Sequence, residues 1–525
     1  MLACLSFLLL NSINALSGAP TQQQALTPQE QRGKQIYLRG TSASGREILA
    51  YLGESSLEVP ASALACANCH GLDGQGKPEG GVTPSNLNWE LMTKPYGVTH
   101  ASGRKHPPYT ERALDLAITR GLDPAGNKLL NVMPRYQMSR DDMADLIAYL
   151  KLLGTEHDPG VSENSIKLGV VLPTKGALAE LGEDIKAALT AYFNEINAQG
   201  GLYNRRIELK FTETGETATA TRENVLRLLQ DEQVFALVGS FAAGAEKEFF
   251  TLLAEREVPL VGPLTLYPQT GFPLNRQVFY LLPGMSEQAC ALVKFAAQKL
   301  PDKSTNVAIL YPATDLARSV VEAIKDQCKK DGWGVPENHE YQPGSFDAAA
   351  EAAQLSKAGR RAVFFLGSGG DALALMREAD KLHWTPNLYL PGAGLGAEGM
   401  NAPAGFSNKI FLSFPTSPAD QTPQGVNEFR ALATKYKLPA RHVAAQLSVY
   451  AAAEILVEGL KRSGKDLSRE KLIASLEGLY EFETGLTPAI SYGPNRRIGA
   501  LGAYIVSIDL EKKEFVPVSA WVKIN

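Results

Sequence analysis

The sequence is short of the residues that build stapled, disordered or membrane-spanning proteins. Only 5 of its 525 residues are cysteine, which excludes a disulfide-dense scaffold. With 4 tryptophans, 7 histidines and 8 methionines, side chains able to ligate a metal or cofactor are few, so their positions carry weight. Neither charge sign is in excess: Lys+Arg 52 stand against Asp+Glu 56, a net charge of −4. A protein that tracks phosphates carries a basic balance, so no nucleic-acid partner is expected. Long hydrophobic runs are also missing. Leu2–Leu10 is far shorter than the roughly 20 residues that cross a bilayer, and no later segment reads as a span. What remains is globular. Hydrophobic residues are 44% and charged residues 21%, with 47 Gly and 31 Pro. The length suggests about three or four folding units.

The apolar run Leu2–Leu10 is followed by small residues, Ala15 and then Ser17-Gly18-Ala19 before Pro20. This pattern reads as a secretory signal peptide over residues 1–19, cut near Ala15 or Ala19, although no Lys or Arg precedes the run. The mature chain is therefore expected in the periplasm, soluble. Removing the signal takes Cys4 with it. Cys66 and Cys69 belong together, which leaves Cys290 and Cys328, both in helical patterns. An oxidising compartment would let these two pair, and two separately buried thiols would satisfy the same positions.

Cys66-Ala67-Asn68-Cys69-His70 is a Cys-x-x-Cys-His motif. Thiols one helical turn apart can each form a thioether to a haem vinyl group, and the adjacent imidazole then lies under the iron. A bare Cys-x-x-Cys also serves as a redox dithiol or half a zinc site. Here no second Cys pair completes zinc, and Gly71-Leu72-Asp73-Gly74-Gln75-Gly76 follows where a thioredoxin-like motif would continue into a long helix. One covalent haem c is expected, on Cys66 and Cys69, with His70 as proximal ligand. The sixth ligand is assigned to Met133, on a loop stiffened by Pro134, because a thioether can reach iron from there and raises its potential. Met92, Met138, His100 and His106 are rivals.

Residues 28–153 resemble a class I cytochrome c, which implies an all-α haem domain. Gln31–Tyr37 is similar to that family's first helix and Asp145–Leu150 to its last. The resemblance implies that these helices cross, with Gly33 giving close approach and Tyr37 and Tyr149 filling the contact. Leu87–Tyr109, which includes Trp89, reads as a loop over the haem edge.

Glu156-His157-Asp158-Pro159-Gly160 breaks the helical pattern and opens a linker, residues 154–164. Beyond it, near-continuous apolar strands alternate with helices, the signature of parallel sheets covered on both faces. Strands are expected at Ile166–Leu172, Ile207–Thr212, Phe235–Gly239, Val278–Leu281, Val307–Tyr311, Ala362–Leu366, Leu388–Leu390 and Ile410–Phe414. Asn194–Gly201, Val238-Gly239-Ser240, Val258–Val261 and Tyr492-Gly493-Pro494 resemble the type I periplasmic solute-binding proteins, nearest to the leucine/isoleucine/valine-binding branch of ABC-transporter receptors. The fold implied for residues 165–525 is a two-lobed α/β clamshell of doubly wound parallel sheets. Lobe 1 would hold 165–283 and 415–488, lobe 2 would hold 284–414 and 489–525, with crossings near Pro283, Phe414 and Pro488.

The resemblance places the solute against loops at the carboxyl ends of strands. Ser240, Ala243, Thr265, Tyr267, Tyr311 and Ser368 are the candidates carried over by position. Amino-acid binders hold the ammonium with an acid in the last loop, whereas Gly392–Gly396 has none until Glu398. A buried ammonium without a carboxylate is costly. A less polar or aromatic small molecule is expected rather than an α-amino acid. No Ser/His/Asp or Cys/His set stands out, so an electron carrier and binding protein is expected rather than an enzyme. Its partners would be a periplasmic dehydrogenase or another cytochrome, and an inner-membrane permease if the receptor serves transport.

Overall fold

The computed structural model describes residues 26–53, 56–76, 81–100, 103–154, 158–299 and 306–524. The expected signal peptide, Cys4 and His157 lie outside them. Contacts divide the chain into two units, Met1–Pro159 and Gly160–Asn525.

In the first unit the order is α1 (Pro28–Arg39), β1 (Leu49–Leu52), β2 (Leu57–Pro60), α2 (Cys66–His70), α3 (Trp89–Met92), β3 (Val98–Thr99), β4 (Lys105–His106), α4 (Glu111–Arg120), β5 (Arg135–Gln137) and α5 (Arg140–Leu150). Local chemistry sets the ends of α1. Thr27 and Glu30 form a capping box, Pro28 occupies the first turn, and Gly40 closes the helix in the left-handed region at φ 63°. Helices α1 and α5 cross as expected. A Cβ on Gly33 would lie 2.0 Å from the Asp145 carbonyl oxygen, so only glycine allows this approach. The Tyr37 and Tyr149 rings sit 5.6 Å apart beside it, and Arg32 clamps Asp145 at 2.6 and 2.9 Å. The all-helical expectation needs one addition, an antiparallel sheet in the order β2-β1-β5. Its strands are too short to print a clear two-residue period. Leu87–Tyr109 is not a bare loop either, since it carries α3 and the β3–β4 hairpin.

The second unit runs β6 (Ser165–Leu172), α6 (Ala179–Ala198), β7 (Arg206–Glu213), α7 (Ala218–Arg227), β8 (Ala236–Val238), α8 (Glu246–Glu255), β9 (Leu260–Val261), β10 (Val278–Phe279) and α9 (Met285–Lys299). It continues through β11 (Val307–Pro312), α10 (Asp315–Lys330), β12 (Glu337–Tyr341), α11 (Ala348–Lys357), β13 (Ala362–Phe365), α12 (Gly369–Lys381), β14 (Asn387–Pro391), α13 (Gly392–Leu395) and β15 (Ile410–Phe414). Last come α14 (Pro423–Tyr436), α15 (Val443–Ser463), α16 (Arg469–Glu477), β16 (Gly502–Asp509), β17 (Glu514–Pro517) and β18 (Val522–Lys523).

Two sheets result. The first is fully parallel, β10-β9-β8-β6-β7. The second, β12-β11-β13-β14-β15-β16-β17, is parallel through β15, and β16 then joins antiparallel. Helices α14 to α16 pack into the first lobe's core beside Leu168 and Ile185. Helix α15 is long and apolar enough to cross a membrane by length and composition, with mean hydropathy 1.4, which the sequence reading had not expected. Its Ala451, Ala452, Ile455 and Leu456 are fully buried, as a core helix requires.

The third crossing lies later than the expected Pro488. Ile490, Tyr492 and Ala500 are buried in the first lobe, and Tyr280 pairs with Ile498. The chain enters the second sheet only at Gly502. A tight turn pairing Gly493 with Arg496, and an ion pair of 2.6 Å from Arg497 to Glu477, hold this return segment on the first lobe. Cys290 and Cys328 are thiols on the neighbouring helices α9 and α10. Burial pushes each up to about 12.

Candidate functional site

Helix α2 is a single turn that begins after Ala65 and stops at Gly71, which adopts φ 79°. Both flanks are braced. The Tyr136 hydroxyl donates to the Leu64 carbonyl at 2.6 Å, and the Tyr37 hydroxyl donates to the Gly71 carbonyl at 2.6 Å. The turn leaves Cys69 exposed and buries the Cys66 thiol, which burial pushes up to about 12. His70 is 9% exposed, and burial holds its imidazole below the usual range. Its Nδ1 lies 2.9 Å from the Ser85 carbonyl oxygen. A carbonyl only accepts, so Nδ1 carries the proton and Nε2 keeps its lone pair for a metal.

These groups wall a cavity of about 1310 Å³ that is also lined by Met133, Pro134, Leu114 and Ile118. Two thiols, an imidazole with a bare Nε2 and a thioether around one largely apolar space make a donor set that fits haem c. Met133 is half-buried on the loop before β5. Arg135 fixes that loop, its guanidinium donating to the carbonyls of Met133 and Leu129. Gly121, in the left-handed region at φ 66°, makes room for it, since a Cβ there would meet Arg135 Nε at 2.0 Å. Ser85 and Arg135 were not legible as site residues. One acts through its backbone, and the other acts by holding a loop.

The rivals to Met133 separate. Met138 packs with the helical core, whereas Met92 is buried in the cavity wall. His100 and His106 also line the cavity, but their Nε2 atoms lie 2.9 Å apart and face each other.

In the second unit the six candidate solute contacts fare differently. Ser240 is fully buried, and its hydroxyl accepts from the Val171 amide at 3.1 Å. The Thr265 hydroxyl donates to Glu246 at 2.7 Å and accepts from the Tyr267 amide at 2.9 Å. Tyr311 is 7% exposed and belongs to the second lobe's core, against which Tyr267 also packs. Ser368 is exposed and caps α12, accepting from the Asp371 amide at 3.1 Å. Ala243 is exposed on its loop. Ser240, Thr265 and Tyr311 thus serve the scaffold.

Glu246 was missed. It is buried at the first turn of α8, where it accepts from the Gly244 amide at 2.9 Å and from Thr265. It ties two loops of the first lobe together, and the amino end of α8 accommodates its charge. Only the fold reveals this, because Gly244 and Thr265 are far apart in sequence.

A family model described as periplasmic binding protein matches residues 165–514, and one described as cytochrome c matches residues 61–154. Leu/Ile/Val-binding protein homolog 3 of Brucella melitensis is 24% identical over 299 residues, 57% of this chain and 79% of that protein. The leucine-, isoleucine-, valine-, threonine-, and alanine-binding protein of Pseudomonas aeruginosa is 21% identical over 329 residues, 62% of this chain and 86% of that one. Among solved structures, a branched chain amino acid ABC transporter protein of Thermus thermophilus with bound valine aligns at TM-score 0.56 and 18% identity. That alignment covers 69% of this chain and 98% of the other. A fatty acid ABC transporter substrate-binding protein of Thermomonospora curvata gives 0.55 at 18% identity, over 70% and 95%. At these identities the structures speak for fold alone. The chain belongs to the periplasmic binding protein family through its larger unit and carries a cytochrome c domain, the seat of a covalent haem c, ahead of it.

Proposed function

We propose that the protein is a periplasmic electron carrier holding one haem c, fused to a receptor that reads a small, largely apolar solute. The observation that carries this reading is the convergence of Cys66, Cys69, His70 and Met133 on one cavity. Haem c supplies reversible one-electron chemistry between ferric and ferrous iron. The chain attaches it through both thiols, offers His70 Nε2 and the Met133 thioether as axial ligands, and excludes water with Leu114, Ile118 and Pro134.

The solute class is supported by the loops at the carboxyl ends of the strands. Three of the candidate hydroxyls there, on Ser240, Thr265 and Ser368, already serve the scaffold, and Leu178, Leu266 and Leu316 are each nearly half exposed in the segments that follow three of those strands. Linking the two modules raises the effective concentration of each near the other, so a solute, or the dehydrogenase that consumes it, is brought to the haem. A second reading is favoured by the Leu/Ile/Val-binding relatives: a receptor that hands its solute to an inner-membrane permease, with the cytochrome as an accessory.

Native mass spectrometry of protein purified from periplasm, followed by redox titration with and without the co-purified solute, tests both. Covalent haem with a potential that moves on solute binding supports coupling. Covalent haem with an unmoved potential favours the transport reading, and colourless protein lacking haem defeats the electron-carrier assignment.

A further inference from the structure

Strands β6, β8 and β9 lie side by side and parallel in the first sheet, so their carboxyl ends open on one edge. Open α/β sheets take ligands outside that edge. The segments that leave β8 and β9 there are joined. Phe241 bridges Leu264, and the Ala242 amide donates to the Leu264 carbonyl at 3.0 Å. Ala243 and Gly244, next along the chain, are exposed. Then α8 begins, and the amino end of its 10 residues carries the positive pole of a helix dipole, which favours an anion.

That place is already filled by the chain itself. Glu246, the first residue of α8, is 9% exposed. One of its carboxylate oxygens accepts from the Gly244 amide at 2.9 Å, and the other accepts from the Thr265 hydroxyl at 2.7 Å. The charge is felt along the same wall. Burial first, and then the Glu246 carboxylate, raise the Tyr267 phenol above its ordinary value, and the Tyr267 amide donates to the Thr265 hydroxyl. A second carboxylate arriving here would find both donors engaged and a like charge beside them, where water screens it poorly. A neutral head meets no such opposition. Nor does one that brings an N–H or O–H to the lone pairs left on Glu246.

We infer that Glu246 is a specificity-determining residue: it closes the first lobe's anion cradle, so that the receptor rejects solutes bearing a carboxylate and takes a neutral or amine-bearing apolar molecule. This rests on the receptor reading above and narrows its solute. The role is distinct from tying the two loops together. A tie needs only an acceptor of this shape, whereas exclusion needs the charge and the occupied donors.

Isothermal titration of the full-length holoprotein with three probes of one branched carbon skeleton, isovalerate, isoamyl alcohol and isoamylamine, tests this. Isovalerate should give no saturable heat with the wild type. Glu246→Ser, which frees the Gly244 amide and the Thr265 hydroxyl, should bind isovalerate at least about tenfold more tightly than the wild type does. That affinity should weaken as salt is raised, and the alcohol and the amine should gain nothing. Glu248→Ser removes an equal charge from the same turn of α8 and should leave the exclusion in place. Isovalerate binding to the wild type, or no gain in a folded Glu246→Ser, overturns the inference and leaves the receptor reading standing. So does a carboxylate in the solute that co-purifies with the wild type. Should Glu246→Ser fail to fold, Glu246→Gln decides, because it keeps the side chain's volume and lifts only the charge. A gain of isovalerate binding there supports the inference, and none overturns it. If no probe binds any of these proteins and no small molecule co-purifies, the receptor reading falls and the inference with it.

Discussion

His70 is ready for iron because its other nitrogen is occupied. The Ser85 carbonyl takes the Nδ1 proton and fixes the ring, so the lone pair on Nε2 is set before any metal arrives. Met133 is held less directly, by Arg135 on the backbone around it. Under the proposed ligation, replacing the thioether should leave attachment intact and remove one axial ligand. Met133→Ala is therefore expected to retain haem staining on a denaturing gel while its midpoint potential falls, read by redox titration. The attachment motif was legible because its five residues are contiguous and their spacing is itself the chemistry. Ser85, Arg135 and Glu246 were not, since nothing in an isolated serine, arginine or glutamate foretells the partner that the fold supplies.

Two helices show how far one element depends on a single atom. The α1–α5 crossing has no space for a methyl group at position 33, where a Cβ would lie 2.8 Å from that of Tyr149 and closer still to backbone. Gly33→Ala should cost roughly 2–3 kcal/mol, measured by denaturant unfolding of the holoprotein followed through the haem band. On α15, Glu454 sits beside Glu428, Tyr192 and Tyr450 with Oε2 unpartnered. Burial, helped by Glu428, pushes its carboxyl up to about 8. A raised acid binds its proton more tightly in the folded state, so stability falls as pH rises from the ordinary glutamate range to about 8. Glu454→Gln should leave Tm unchanged in acid and raise it progressively to a plateau above about pH 8, as thermal scans across pH would show.

The strands buried on both faces announced themselves as apolar runs. The polar edge strand β12 and the antiparallel β16 to β18 did not. An edge strand such as Glu337–Tyr341 answers to one neighbour only, and its composition resembles a loop.

For the whole molecule, the division at Pro159 leaves each unit with its own buried core. Heating should therefore give two calorimetric transitions, only one of which follows the haem band. A solute that binds the folded receptor should raise the other transition alone, by about 2.7 kcal/mol at a hundred times its dissociation constant. Movement of both transitions together would mean that the units unfold as one. Fold class was legible at this scale because alternating strands and helices leave few packings to choose from. The third crossing was placed too early, near Pro488, because the burial of Ile490 and Ala500 and the pairing of Ile498 with Tyr280, which keep the chain on the first lobe, are supplied only by the fold.

That late return shapes how the chain must be assembled. The second sheet grows outward to β15, but the partner that covers β15 is made only after the first lobe's three closing helices have been synthesised. Until then a nascent polypeptide presents a bare row of amides and carbonyls, open to a neighbouring chain. A holding chaperone, or fast collapse of the first lobe, is needed to guard that edge. Shortened products that stop before Gly502 should accumulate as insoluble aggregates.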